Sequence, residues 1–376
     1  MLNLSTSTLL SAKQILCQQG GLSYLSRLPA RKIAILATKR SHHQYPTLEK
    51  IISNKKRFDA RIFYPQWQGE PKLSSVKKNI ADLLTFQPDW IVAIGGGSVI
   101  DGAKVAWGLY ENPNFEEARL SVPFSLPELR KKARFVAVPT TAGTGSETSS
   151  SALITSEDGL YKIPVVTHDF LPDLAILDPG VLEDIPTKIL VPSMLDALSH
   201  ALEGYVSKVQ NTVATHMVPL AVQKLIQAFK KLSEGQDYGD LALVGAYFAG
   251  IIQNTNLVGP AHSLAHHIPQ IPHGVATGLF TPEVVRIHCH KSTHLKEKYH
   301  QLALAVGFTE IDALLDDIYH QTLPLLPIET KVSAFLQLDN RHFLSYAKAA
   351  KKDSLSRFFP EDFKEHDFVR ILERSY

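Results

Sequence analysis

Asp196 and His200 stand four residues apart in "MLDALSHALEGYV", Met194 to Val206. His262 and His266 repeat that spacing in "GPAHSLAHHIPQIPHG", Gly259 to Gly274, a run that carries four of the chain's sixteen histidines. Side chains at i and i+4 share one side of a helix and can reach a common ion. In the first run, at about 100° per residue, Leu195, Leu198, Leu202, Tyr205 and Val206 fall on one side of the helix, and Asp196, Ser199, His200 and Glu203 on the other. In the second, Pro269 and Pro272 should end the helix that carries His262 and His266, leaving His273 just beyond it on a turn that can fold back. One carboxylate and three imidazoles suit Fe2+ or Zn2+, with a position left open for substrate. Plainer readings compete with this one: a solvated polar face, Ser193 and Asp196 as a helix-start capping pair, or a hydrogen-bonded structural role for any single histidine.

Two glycine- and threonine-rich loops offer a different chemistry. "IVAIGGGSVIDGAKVA" places three glycines between an apolar run and an apolar-periodic helix. Glycine lets the backbone approach a ligand closely, and a helix N-terminus supplies free N–H groups and partial positive charge, which suits a pyrophosphate. The run is neither the G-x-G-x-x-G fingerprint nor a P-loop, and a plain tight turn would explain it equally well. "VPTTAGTGSETSSSALIT", Val138 to Thr155, also follows an apolar run, and its hydroxyls and amides could meet ribose, adenine or phosphate. Two such loops at the ends of neighbouring strands form the crevice where open α/β sheets bind ligands.

These residues need a scaffold, and the apolar pattern supplies one. Strand-like runs at Lys32–Thr38, Ala60–Pro65, Asp89–Ser98, Arg134–Thr141 and Asp173–Asp178 alternate with helical patterns around Tyr45–Lys55 and Lys72–Phe86. That alternation predicts a parallel sheet covered by helices on both faces. After about residue 184 long helical patterns take over, at Met194–Val209, Thr215–Leu232 and Leu241–Gln253. The chain therefore divides into an α/β domain over 1–184 and an all-helical domain over 185–376, two domains being the natural expectation for 376 residues. A net charge of +2 and scattered basic residues give no nucleic-acid or acidic-membrane surface. Two cysteines, Cys17 and Cys289, make neither a disulfide framework nor a thiolate zinc site, and a reducing cytoplasm is the expected compartment. No window reaches the ~20 apolar residues of a membrane span, and the N-terminus makes a poor signal peptide.

Taken in order, "GGGSVIDGAK", "PTTAGTGSE", "LAILDP", "DALSHALE" and "AHSLAH…PHG" resemble the iron-containing (group III) alcohol dehydrogenases, from about residue 10 to the C-terminus. The resemblance implies a dehydroquinate synthase-like fold: a Rossmann-like nucleotide-binding domain, a helical metal domain and an active site in the cleft between them. It implies Asp196, His200, His262 and His273 as metal ligands and His266 as a proton relay near the substrate. Gly95, Gly96, Gly97 and Ser98 would form the pyrophosphate loop, with Asp101 the acid beside it. Thr140, Thr141, Thr144 and Ser146 would contact the cofactor, and Lys162 would lie near it. Relatives usually have about three more residues between the positions of His266 and His273, so the turn carrying His273 should be tighter here. Relatives that favour NAD often carry an aspartate just after the first strand, where this chain has Lys39 and Arg40. These cations would attract a 2′-phosphate, so NADP(H) is expected over NAD(H).

The expected reaction is reversible hydride transfer between the nicotinamide and a small alcohol or aldehyde, with Fe2+ (or Zn2+) polarising the reacting oxygen. A homodimer or higher homo-oligomer is the expected assembly. A metal-dependent hydrolase would leave both loops unexplained, a non-catalytic nucleotide binder would leave the histidines unexplained, and a dehydroquinate synthase-like lyase fits the motifs less well.

Overall fold

The computed structural model describes residues 8–67, 69–159 and 162–376. By contact the chain divides into two compact units. One comprises Leu10–Thr141 and Gly145–Ile185; the other comprises Pro186–Tyr376 with Ala142–Thr144 and residues 8 and 9.

The first unit is built on a parallel sheet. Its strands are β1 (Ile15–Cys17), β2 (Lys32–Ala37), β3 (Asp59–Phe63), β4 (Trp90–Gly95), β5 (Arg134–Pro139) and β8 (Leu174–Leu177), with a separate antiparallel hairpin of β6 (Ser151–Thr155) and β7 (Lys162–Val166). The sheet runs β1-β8-β5-β4-β2-β3 and every pairing in it is parallel. Residues 33–37, 90–95 and 135–139 are buried without interruption, as expected of strands covered on both faces. Connecting helices are α1 (Lys39–Gln44), α2 (Pro46–Ser53), α3 (Leu73–Phe86) and α4 (Gly97–Glu111). Val76 and Leu83 of α3, with Ile100 and Trp107 of α4, close over Leu36, Ala93 and Phe135 in one core.

The second unit is helical: α5 (Thr187–Val206), α6 (Thr212–Ser233), α7 (Gly239–Asn256), α8 (Pro260–Ala265), α9 (His273–Lys291), α10 (Thr293–Ala305), α11 (Ile311–Asp316), α12 (Asn340–Lys352) and α13 (Glu365–Ser375), with short 3-10 and π turns between. Helix α5 packs against α6, α7 and α9, and α8 packs against α9 and α12. The observed class is therefore a Rossmann-like α/β unit followed by an all-α unit. No helix among the described residues is long and apolar enough to cross a membrane.

Four local features differ from the sequence reading. Helix α5 starts at Thr187 and runs through Pro192; Ser193 Oγ donates to the Ile189 carbonyl inside the helix, which removes Ser193 and Asp196 as a capping pair. Helix α8 stops at Ala265, before either proline, and His266 is its C-cap. His273 does not sit on a turn but opens the nineteen-residue α9. Strand β1 and the β6–β7 hairpin were not expected: β1 is a three-residue edge with no periodicity to detect, and β6 lies inside the stretch that reads as a polar loop.

Candidate metal centre and cofactor loops

Helix α5 presents Asp196 and His200 one turn apart, both about 3% exposed. Helix α8 brings in His262, and the first residue of α9 is His273. One constriction sets this meeting: a Cβ on Gly274 would lie 2.3 Å from the Pro192 carbonyl oxygen and 3.2 Å from Asp196 Cβ. Only glycine lets the start of α9 come this close to α5, and that approach places His273 at the carboxylate.

Asp196 is the hub. Its Oδ1 lies 3.5 Å from His262 Nε2 and 3.7 Å from His273 Nε2, and its Oδ2 lies 3.9 Å from His200 Nε2. Donors bound to one ion at about 2.1 Å in a tetrahedral shell stand about 3.4 Å apart, and the separations from Asp196 to His262 and His273 come near that value, whereas His200 faces the other carboxylate oxygen at a longer distance. Asp196, His262 and His273 each offer an atom within 4.8 Å of the others. The His200 and His262 rings stack with centroids 4.7 Å apart. His262 Nε2 is buried with no hydrogen-bond partner among the described residues, and an imidazole nitrogen in that setting suits metal ligation. Thr277 Oγ1 donates to Asp196 Oδ1 at 2.9 Å and fixes the carboxylate.

Burial alone would lower the pKa of His262, but the Asp196 and Glu203 carboxylates override it and push the imidazole up to about 9. Burial would raise that of Asp196, and His200, His273 and His262 hold it well below the carboxylate range instead. His200, dominated by burial, falls to about 4. Asp196 and His262 thus stabilise one another's charged forms in a buried setting, while His200 is held neutral by burial.

Around the metal centre, the sequence reading gave Glu203 no role beyond the polar helix side and did not single out Asp353. Glu203, on the polar side of α5, is 2% exposed. It accepts from Gly259 N (3.1 Å), Ala261 N (2.6 Å) and His262 Nδ1 (2.5 Å). It thereby caps the start of α8 and turns His262 Nε2 towards Asp196. Its place three residues after His200 on the same helix side was the only clue. Asp353, 87 residues after His266, gave no sequence clue; its Oδ2 lies 3.3 Å from His266 Nδ1. The His266 ring in turn stacks on His273, with centroids 5.7 Å apart and planes 13° apart.

In the α/β unit, the glycine loop follows β4 directly, and Gly97 and Ser98 open α4. A Cβ on Gly95 would lie 2.5 Å from Val99 Cβ, so the turn from strand to helix requires glycine there. Thr140 N donates to the Gly95 carbonyl at 3.0 Å, and Thr141 lies against Gly96, which joins the two loops. Asp101 Oδ2 accepts from Leu153 N, its pKa raised by burial against the pull of Lys104. Lys104 also went unread: fully buried, it donates to the carbonyls of Ser146 (2.6 Å), Ser149 (2.7 Å) and Ser151 (3.2 Å) and so shapes the second loop. Thr144 groups with the helical unit. Lys162 is ion-paired to Glu70 at 2.6 Å. After β2, Arg40 donates to the Asp184 carbonyl at 2.9 Å, whereas Lys39 lies over the Tyr64 ring.

Comparison with known proteins agrees with this arrangement. Residues 12–179 match the iron-containing alcohol dehydrogenase model, and residues 190–376 match the C-terminal model of the Fe-containing alcohol dehydrogenase family. The chain is 30% identical over 308 residues to an NADPH-dependent butanol dehydrogenase of Clostridium saccharobutylicum, covering 79% of each. It is 32% identical over 243 residues to a bifunctional aldehyde-alcohol dehydrogenase of Escherichia coli (strain K12), a match that covers 61% of this chain and 27% of that longer protein. The iron-containing alcohol dehydrogenase of Thermococcus thioreducens superposes with a TM-score of 0.88 at 25% identity, covering 98% of this chain and 99% of that one. These relatives do not favour a hydrolase or a lyase. With both halves matched in order, the chain belongs to the iron-containing alcohol dehydrogenase family, a metal-dependent oxidoreductase of alcohols and aldehydes that works with NAD(P) and a metal, usually Fe2+.

Proposed function

We propose that this chain reduces small aldehydes, and oxidises the corresponding alcohols, with NADP(H) in preference to NAD(H), using Fe2+ held by Asp196, His200, His262 and His273. The observation that carries the ligand set is the group of Asp196, His262 and His273, whose donor atoms all lie within 4.8 Å of one another, with a buried His262 Nε2 that has no hydrogen-bond partner among the described residues; His200 stands just outside that group, 3.9 Å from the other Asp196 oxygen. Zn2+ suits the same donors. When bound, the metal supplies a Lewis acid that favours the alkoxide form of the substrate, and the nicotinamide supplies the hydride chemistry.

The remaining work belongs to the chain's own residues. Gly95 to Ser98 offer backbone N–H groups at the start of α4 to a pyrophosphate, and the family resemblance adds Asp101, Thr140, Thr141, Thr144, Ser146 and Lys162 as the residues that would contact the cofactor. Lys39 supports the NADP(H) preference: its ammonium makes no hydrogen bond to the described residues, which leaves it available to a 2′-phosphate, with Arg40 next to it. The Clostridium saccharobutylicum relative is an NADPH-dependent enzyme. His266, about a third exposed at the edge of the histidine cluster, carries the substrate proton to solvent.

The test is a steady-state comparison of NADPH and NADH over an aldehyde panel, with metal analysis of the same preparation. A higher kcat/KM with NADPH is expected, and a higher one with NADH overturns the preference. His262→Ala should lose bound metal and turnover while NADPH binding stays within a few-fold of wild type. Full activity in that variant overturns the ligand set.

A further inference from the structure

We infer that Asp353 is the positioning residue for His266: it fixes which ring nitrogen carries a hydrogen, and so leaves the other free to take the substrate proton. The inference rests on the reading of His266 as proton carrier and adds what makes that role possible.

Two elements far apart in sequence meet here. His266 and His267 follow the last turn of α8, and Asp353 ends α12 and caps the short 3-10 helix Ser354–Phe358. The two carboxylate oxygens have separate tasks. Oδ1 accepts from Leu355 N at 2.8 Å, as an N-cap. Oδ2 accepts from His266 Nδ1 at 3.3 Å and lies 3.3 Å from His267 Nε2. His267 Nε2 lies at ion-pair distance from the same oxygen but makes no hydrogen bond among the described residues.

The side chain of Asp353 is 11% exposed; burial alone would raise its pKa, and His266 and His267, with the Leu355 amide, override that and hold it below the ordinary carboxylate range. An ionised carboxylate only accepts hydrogen bonds, so the ring nitrogen facing it must be the N–H. In the neutral ring that leaves Nε2 as a bare acceptor. The flat stack on His273 fixes the ring plane, and the hydrogen bond fixes rotation within that plane. In the alcohol-oxidising direction Nε2 would take the substrate hydroxyl proton and, as imidazolium, release it to water, a bound oxidised nicotinamide being the acceptor that would take up the hydride.

Asp353→Asn makes this testable, because the Oδ1 contact constrains how the amide can sit. Its oxygen must stay with Leu355 N, so its NH2 group faces His266. Nδ1 then becomes the acceptor and Nε2 the N–H, the wrong form for taking a proton. Asp353→Ser is the second variant: it keeps a capping oxygen for Leu355 and removes the contact with both rings. We expect bound metal, NADPH affinity and aldehyde KM within about twofold of wild type in both variants, and kcat for alcohol oxidation lower by about tenfold or more. In zinc-loaded protein, 15N spectra of labelled histidine should show His266 protonated at Nδ1 in wild type and at Nε2 in Asp353→Asn. Unchanged kcat in both variants while His266→Gln loses turnover, or a wild-type ring protonated at Nε2, overturns the positioning role alone. Full turnover in His266→Gln overturns the proton-carrier reading, and the positioning role with it.

Discussion

At the scale of single residues, the metal centre depends on a carboxylate that does not touch the ion. Glu203 faces three N–H groups: the amides of Gly259 and Ala261, and His262 Nδ1. Only an acceptor-only group satisfies all three. In Glu203→Gln the amide nitrogen must oppose either Ala261 N–H or the pair Gly259 N–H and His262 Nδ1–H, so one contact turns repulsive. His262 then loses the partner that fixes its tautomer and its aim at Asp196. Loss of such a supporting hydrogen bond typically costs about 10- to 100-fold in metal affinity, and competition with a chelator should show a loss of that size. Equal affinity in the two proteins would mean that Glu203 only caps α8. Asp196 and His200 stood out in the sequence because i,i+4 spacing on a helix is a local pattern, whereas His273 was set beside them as a ligand by the family resemblance. Glu203 was visible only as one more polar residue on that helix side, and Asp353 was not visible, because its meeting with His266 is made by the packing of α8 against α12. Long-range side-chain pairs leave no periodic trace.

At the scale of elements, the decisive contact is the approach of α9 to α5. The start of α9 was not legible because a Pro-His-Gly run between two helical patterns looks like a turn, and glycine argues against a helix start. The structure uses that glycine for proximity: Gly274 lies where any side chain would meet the Pro192 carbonyl. Gly274→Ala therefore needs α9 to move away from α5, and since the obstacle is backbone it cannot be relieved by a rotamer change. His273 and Asp196 would separate with that movement. A loss of about 1–3 kcal/mol in stability is expected from the overpacking, together with reduced metal content. A variant that melts lower yet binds metal normally would show that His273 follows α5 by some other route. The buried strands β2, β4 and β5 were read correctly for the opposite reason: each is a continuous apolar run bounded by turn residues, and nothing distant had to be known to see it. Strand β6 hid because its first residues continue a run of serines, and its pairing with β7 depends on a hairpin that the composition does not announce.

At the scale of the whole molecule, stability should depend on pH through a charge cluster that is not part of the metal centre. Beneath the two loops of the α/β unit lie Glu147, Lys104 and Asp101, with Glu147 and Lys104 almost fully enclosed. Burial pushes Glu147 up to about 7, against the pull of its own backbone amide and of Lys104, and brings Lys104 down to about 8, against the pull of Asp101 and Glu147. A carboxyl whose folded pKa is raised stabilises the fold fully below its unfolded value, near 4.5, and that stability is lost as pH rises through 7. A lysine whose folded pKa is depressed works the other way: the unfolded chain holds its proton more tightly between about 8 and 10.5, so stability recovers as pH rises across that window. The two contributions place a minimum between pH 7 and 8. Glu147→Gln removes the first slope, because the amide resembles the protonated carboxyl at every pH. The melting temperature of the variant relative to wild type should therefore rise as pH goes from 5 to 8, by an amount on the order of a few degrees for a chain of this size. A difference that stays constant over that range would show that Glu147 keeps an ordinary carboxylate pKa in the folded protein. The comparison belongs to the metal-loaded protein, where the carboxylate and imidazoles of the metal centre are held in one protonation state and the slope can be assigned to the cluster under the loops.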